Sequence, residues 1–246
     1  MSLSNPVLRD DIFLREDERE ASEQRMTIGG TTNKTLLLLA LIIISGSVTW
    51  YMNDQGMIEV LSLMTAGLFG MAGMALAIFF FPKTAPLFSP IYAIFSGFAL
   101  GGFSAFMEYE YPGIVVNAIL LTIGILFMML FIYTQRIIKV TQGFISFVVL
   151  CTLAIALVTL VDFILNLFGL NVPYIHETGW LGIGISLFVV IIAALNLLVD
   201  FNFIEEQTKQ GAPKYMEWYG AFGLLLTLVW LYVRILELLA KFSKED

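Results

Sequence analysis

The stretch IVVNAILLTIGILFMMLFIY, residues 114–133, contains no charged side chain. A helix rises 1.5 Å per residue, so about 20 residues cross the roughly 30 Å hydrocarbon core of a bilayer. An isolated strand of this length would leave its backbone groups unpaired in lipid, and the run lacks the alternation of an outer-membrane barrel. The stretch therefore predicts a membrane-spanning α-helix.

Further apolar runs of similar length lie on both sides of this stretch. They cover residues 35–52, 60–81, 88–107, 144–168, 180–201 and 218–239. The connections between them are short and contain helix-breaking residues such as Pro82, Pro112 and Pro213. We therefore expect an all-α polytopic membrane protein with seven transmembrane helices.

The overall composition also favours lipid as the surrounding solvent. Hydrophobic residues make up 59% of the chain and charged residues 13%, against roughly 25% charged residues in a soluble domain. Residues 35–239 are predicted to form one membrane domain. A flexible polar tail over residues 1–34 precedes it, and a short polar tail over residues 240–246 follows it.

Lysine and arginine residues alternate between the connections. After the polar N-terminal tail, they occur behind the second, fourth and sixth predicted helices, at Lys83, Arg136, Lys139, Lys209 and Lys214. By the positive-inside rule, this pattern predicts a cytoplasmic N-terminus. Seven spans then place the C-terminus outside, although that segment carries Arg234, Lys241 and Lys244.

The remaining connections carry acidic residues and no lysine or arginine. These acidic residues are Asp54, Glu59, Glu108, Glu110 and Glu177. Such a surface attracts cations, but the same asymmetry also follows from positive-inside topology alone.

Glycines recur at helical spacing on two predicted helices. Gly67, Gly70 and Gly73 lie on the second, and Gly97 and Gly101 form a GxxxG motif on the third. Small residues let helix backbones approach closely, so we interpret them as packing positions. The alternative is a hinge or a pore-lining face.

Two ionisable residues of opposite charge fall at similar depth near the outer ends of their helices. Asp162 lies on the fifth predicted helix and Arg234 on the seventh, with Glu237 three residues further on. Charges at membrane depth are costly, so we expect an intramembrane ion pair between them. The alternative is two independent side chains that snorkel to the interface.

Asp200 lies near the predicted cytoplasmic end of the sixth helix. In an apolar surrounding a carboxyl group holds its proton more tightly, and in its ionised form it binds cations. Asp200 is therefore a candidate proton or cation site. The alternative is a solvated helix-end carboxylate beside Glu205 and Glu206.

Cysteine and histidine contents limit the possible chemistry. The chain has one cysteine, Cys151, and one histidine, His176. A single thiol forms no intrachain disulfide, and one histidine is too few for most zinc sites. Ser104 on the third helix suits an intramembrane serine protease, but His176 lies in a loop that cannot present a base to it. We expect no catalytic residue, no cofactor and no metal site.

The carboxy-terminal half carries motifs of a known family. The clearest is APKYMEWYGAFG over residues 212–223, and others are GIGISLFVV over residues 182–190 and ALNLLVDF over residues 194–201. With these motifs the chain resembles the Bax inhibitor-1 family, also called the TMBIM or YccA-like family. The resemblance extends roughly over residues 34–239, and it is strongest to a bacterial branch.

The resemblance implies seven helices with the last one packed centrally. It also implies, for some members, a pH-sensitive calcium leak in which one aspartate on the sixth helix and one on the seventh share protons and gate the pathway. Asp200 matches the sixth-helix aspartate. Thr227 stands at the seventh-helix position, where it cannot ionise, so a shared-proton pair is not expected here.

Two functions follow from these observations and the resemblance. The first is a pH-modulated cation leak or channel, with calcium as the expected ion and Asp200 and Thr227 at the gate. The second is a regulatory protein that modulates a membrane-bound quality-control protease, with the charged N-terminal tail as the docking element. The expected location is a bacterial plasma membrane, the expected context is a stress response, and no nucleic-acid partner is expected.

Overall fold

The computed structural model describes residues 25–56, 60–169 and 179–244. Within them lie seven long α-helices: α1 Ile28–Asp54, α2 Val60–Phe80, α3 Ala85–Glu110, α4 Ile114–Thr134, α5 Gln142–Leu167, α6 Trp180–Lys209 and α7 Met216–Ser243. Each is long and apolar enough to cross a membrane, so the prediction of seven transmembrane helices is confirmed. Residues 1–24, which form most of the predicted tail, as well as His176, Glu59, Glu177 and residues 245–246, lie outside the described residues.

Several helices extend beyond the apolar runs that predicted them. α1 begins at Ile28 instead of residue 35, because the Thr27 hydroxyl caps it by accepting a 2.9 Å hydrogen bond from the Gly30 amide. α6 continues to Lys209 and α7 to Ser243. These additional turns are polar and suit the headgroup region of the bilayer. A search for apolar runs does not detect such polar turns.

The last helix, α7, is the central element of the bundle. It packs against α1, α3, α4 and α6, whereas α2 packs mainly on α3, and α5 packs mainly on α6. Leu225, Leu231 and Leu236 of α7 are fully buried. The central position that the resemblance implies is therefore confirmed.

Glycines allow α1 and α2 to pack closely against α3. A Cβ atom at Gly97 would lie 1.8 Å from Ser45 Oγ, and one at Gly101 would lie 2.5 Å from the Gly46 carbonyl oxygen. On α2, a Cβ atom at Gly67 would lie 2.6 Å from the backbone nitrogen of Ala99 on α3. These contacts confirm the packing interpretation at Gly67, Gly97 and Gly101, whereas Gly73 faces open space.

Consecutive helices run in opposite directions, so the bundle has two ends of different charge. α1 and α7 begin at the same end, where Thr27 contacts Glu217. We call this end the basic end, because its helix termini and loops carry Lys34, Lys83, Arg136, Lys209 and Lys214. We call the other end the acidic end, because the last turns of α1 and α3 place Asp54, Glu108 and Glu110 there.

Candidate functional site

Asp200 of α6 and Thr227 of α7 meet inside the bundle. The Thr227 side chain lies beside the Asp200 carboxyl group, and Thr227 is buried. The second carboxylate oxygen, Asp200 Oδ2, is also buried and has no hydrogen-bond partner among the described residues. Buried polar atoms are normally paired, so this oxygen is a site where a proton, water or cation would be stabilised.

A cavity of about 600 Å³ lies beside this pair, between α5 on one side and α6 and α7 on the other. Thr227 lines it together with four other polar residues, Thr152, Thr159, Asn196 and Arg234. The Asn196 side-chain amide donates a 2.8 Å hydrogen bond to the Thr152 hydroxyl. Thr227 therefore connects Asp200 to a series of polar side chains at membrane depth.

Arg234 forms the far end of this cavity, towards the acidic end of the bundle. Its guanidinium group donates hydrogen bonds to Glu237, at 2.8 Å, and to the Thr159 hydroxyl, at 3.2 Å. Thr159 lies three residues before Asp162 on α5, hence on the same helix face. The structure thus brings Arg234 to the Asp162 face of α5 and pairs it with Glu237, and the Asp162–Arg234 pair itself stays a prediction.

A second buried carboxylate, that of Glu217 in the first turn of α7, was not predicted from the sequence. Its side chain is fully buried and forms an ion pair with Lys34 of α1. It also accepts hydrogen bonds from the amide of Thr27, at 2.9 Å, and from the Thr27 hydroxyl, at 2.8 Å. Gly30 makes room for it, since a Cβ atom there would lie 2.2 Å from Glu217 Oε1. The feature of the sequence that could have identified Glu217 is its position, a carboxylate in the first turn of a long apolar helix.

Glu205 was considered only as a solvated neighbour of Asp200, but it connects α4 to α6. Its carboxylate accepts hydrogen bonds from the Tyr133 hydroxyl, from Arg136 at 2.7 and 2.9 Å, and from Lys209. Hydrogen bonding to Glu205 raises the pKa of Arg136 above its ordinary value. The charges at this end of α6 therefore hold helices together.

No cluster of three or more histidine, cysteine, aspartate or glutamate side chains that could hold a metal ion occurs in the described part of the chain. The carboxylates described above are separated along the bundle, and those at the basic end are already occupied by protein donors. The pair of Asp200 and Thr227, together with the adjoining cavity that Thr227 lines, is thus the candidate functional site.

Comparison with known proteins gave one match. A family model described as Bax inhibitor 1 like matches residues 5–244, which is nearly the whole chain. The searches of curated proteins and of solved structures gave no match.

Proposed function

The chain belongs to the Bax inhibitor 1 like family, and from this premise we propose that it is a pH-modulated cation leak or channel, with calcium as the ion. The observation that carries the proposal is the buried Oδ2 atom of Asp200, which has no hydrogen-bond partner among the described residues. A carboxyl group without a fixed partner can exchange a proton for a cation, whereas one held by lysine and arginine cannot do so readily.

In this proposal Asp200 is the titrating gate and Thr227 positions its carboxyl group. The polar cavity between α5, α6 and α7 supplies hydroxyl and amide groups that replace part of the water around a passing ion. When protonated, Asp200 offers the ion no charge, and when ionised it attracts one. Flux therefore depends on pH through this residue. No catalytic residue is assigned.

The bundle lies in a lipid bilayer, which its seven apolar helices require. We place it in a bacterial plasma membrane with the N-terminus in the cytoplasm, because the basic end then faces the cytoplasm. The acidic end, with Asp54, Glu108 and Glu110, then faces outwards and raises the local concentration of cations.

The test is flux into liposomes that contain the purified full-length protein and an enclosed calcium dye. The wild type is compared with Asp200→Asn over a range of pH, and Glu206→Gln serves as the matched control because Glu206 is an exposed carboxylate on the same helix. We expect the pH dependence of flux to disappear in Asp200→Asn and to persist in Glu206→Gln. Absence of flux at every pH, or an unchanged profile in Asp200→Asn, would overturn the proposal.

A regulatory role towards a membrane-bound quality-control protease is the alternative. One observation favours it: the described chain starts at the basic end, where the Met26 amide donates a 2.7 Å hydrogen bond to the Ala212 carbonyl and Met26 is buried. Arg25 and Met26 are therefore held beside the α6–α7 connection, the point from which a docking tail would start. Deletion of residues 1–25 should abolish recovery of such a protease in a pull-down, and unaltered recovery would argue against tail docking.

A further inference from the structure

A second cavity runs along the opposite side of α7 and takes no part in the proposed leak. It is a groove of about 650 Å³ between α1 and α4, with α3 and α7 as its floor. Its α1 wall is one face of the helix from Leu39 to Asp54, which is about 22 Å long at 1.5 Å per residue. The groove is therefore longer than the roughly 15 Å half-thickness of the hydrocarbon core.

The walls of the groove are apolar over most of this length. Three of the polar groups in the walls have partners within the protein: Ser104 and Tyr232 share a 2.7 Å hydrogen bond, and the Thr122 hydroxyl donates to the Ala118 carbonyl at 2.7 Å. A volume of this size lies within the range of small-molecule sites. The groove thus suits an alkyl chain better than a polar molecule.

The mouth of the groove, at the acidic end, is negatively charged. Asp54 lines it, is exposed, and has no ion-pair partner among the described residues. Glu108 lies beside the mouth, where its carboxylate accepts hydrogen bonds from the amides of Gly113 and Val115. Two basic residues of this end make contacts away from the mouth: Arg234 contacts α5, and Lys241 donates to the Gly182 carbonyl of α6.

From this charge pattern we propose that the groove binds a single-chain amphiphile with an ammonium headgroup. The alkyl chain lies along the apolar walls, and the ammonium group lies at the mouth beside Asp54, Trp50 and Tyr51. A carboxylate attracts the cation directly, and the two aromatic rings stabilise it through their π faces. A fatty acid or an anionic phospholipid of the same chain length meets repulsion from Asp54 and Glu108.

The experiment uses the full-length protein in maltoside micelles and two photoreactive probes. One is hexadecylamine with a diazirine in the middle of its chain, and the other is hexadecanoic acid with the same diazirine. After irradiation, mass spectrometry maps the labelled residues. We expect the amine to label α1 and α4 along the groove several-fold more than the acid does. Asp54→Asn should reduce amine labelling by about fivefold, the factor that corresponds to ~1 kcal/mol for a partly exposed ion pair.

Two tryptophan variants test whether the bound amphiphile lies in the groove. Ser47 lines the groove, so Ser47→Trp should block labelling, whereas Val48 is exposed and does not line it, so Val48→Trp should leave labelling unchanged. Equal labelling by the amine and the acid, or labelling spread over other faces, would overturn the proposal. A dimer in the micelle, measured by light scattering, that disappears in Ser47→Trp would identify a second copy as the occupant and would overturn the proposal as well. Asp54→Asn alters only an exposed side chain, so its result does not depend on packing in the bundle.

Discussion

Carboxylates at the basic end of the bundle and the carboxylate of Asp200 have different surroundings. Glu217 and Glu205 each accept hydrogen bonds from several donors, among them at least one lysine or arginine. Asp200 lies about one and a half turns before Glu205 on α6, yet one of its oxygens has no partner in the described part of the protein. The difference shows that this chain can satisfy a buried carboxylate fully where stability requires it. The site that is left unsatisfied is therefore the better functional candidate.

The largest loss of stability should come from replacing Glu217, the ion-paired carboxylate that is fully buried. Glu217→Ala removes the ion pair with Lys34 and both bonds to Thr27, and it leaves a lysine without its partner. Breaking a buried pair on one side destabilises a protein by about 3 kcal/mol or more. We expect a large drop in the midpoint of thermal unfolding in detergent. Glu206→Ala, at an exposed position on α6, is the control and should leave the midpoint unchanged. A midpoint as high in Glu217→Ala as in the control would remove the structural role assigned to Glu217.

Adding a second carboxyl group beside Asp200 should cause the next largest loss of stability. Thr227→Asp places two carboxyl groups in one buried site, and they cannot both ionise without strong repulsion. The folded state then favours a bound proton, so its stability is highest at acidic pH and falls as the pH rises. We expect the free energy of unfolding to be about 2 kcal/mol lower at neutral pH than at acidic pH, which corresponds to the size of pKa shifts in paired carboxyl groups of proteins. Thr152→Asp, further along the cavity, is the comparison. Equal pH dependence in the two variants would show that Asp200 and Thr227 do not form a special pair.

Glu205 should matter less than Glu217 because its partners are more exposed. The side chains of Arg136 and Lys209 are 58% and 68% exposed. Ion pairs with exposed partners contribute about 1 kcal/mol or less, and salt screens them. Glu205→Gln should therefore lower the unfolding midpoint slightly at low salt and not at all at high salt. A drop as large as that of Glu217→Ala would mean that exposure is a poor guide to the strength of this cluster.

The sequence predicts some of these features and not others, for physical reasons. The seven helices follow from hydropathy, which is a local property of each run, and Asp200 and Arg234 are visible because charges at membrane depth are rare. The role of Glu217 depends on Thr27, which is 190 residues away in the chain. Pairings over such distances depend on how the helices pack, and no local pattern records them. Glu205 was underestimated for the same reason, since its partner Tyr133 lies on another helix.

The smallest change in stability should come from the residue with the largest proposed role in function. Asp200→Asn replaces a buried carboxyl group by an amide of nearly the same size, and the amide oxygen is able to accept a hydrogen bond from a neighbouring hydroxyl such as that of Thr227. Since it also removes a charge that no cation balances within the described bundle, the free energy of unfolding should stay within about 0.5 kcal/mol of the wild type or rise. Unfolding in detergent at several pH values measures this. Residues kept for function are often poor for stability. An unchanged or raised midpoint together with lost pH dependence of flux would therefore distinguish Asp200, a functional carboxylate, from the structural carboxylates Glu217 and Glu205. A drop comparable to that of Glu217→Ala would place Asp200 among the structural carboxylates instead.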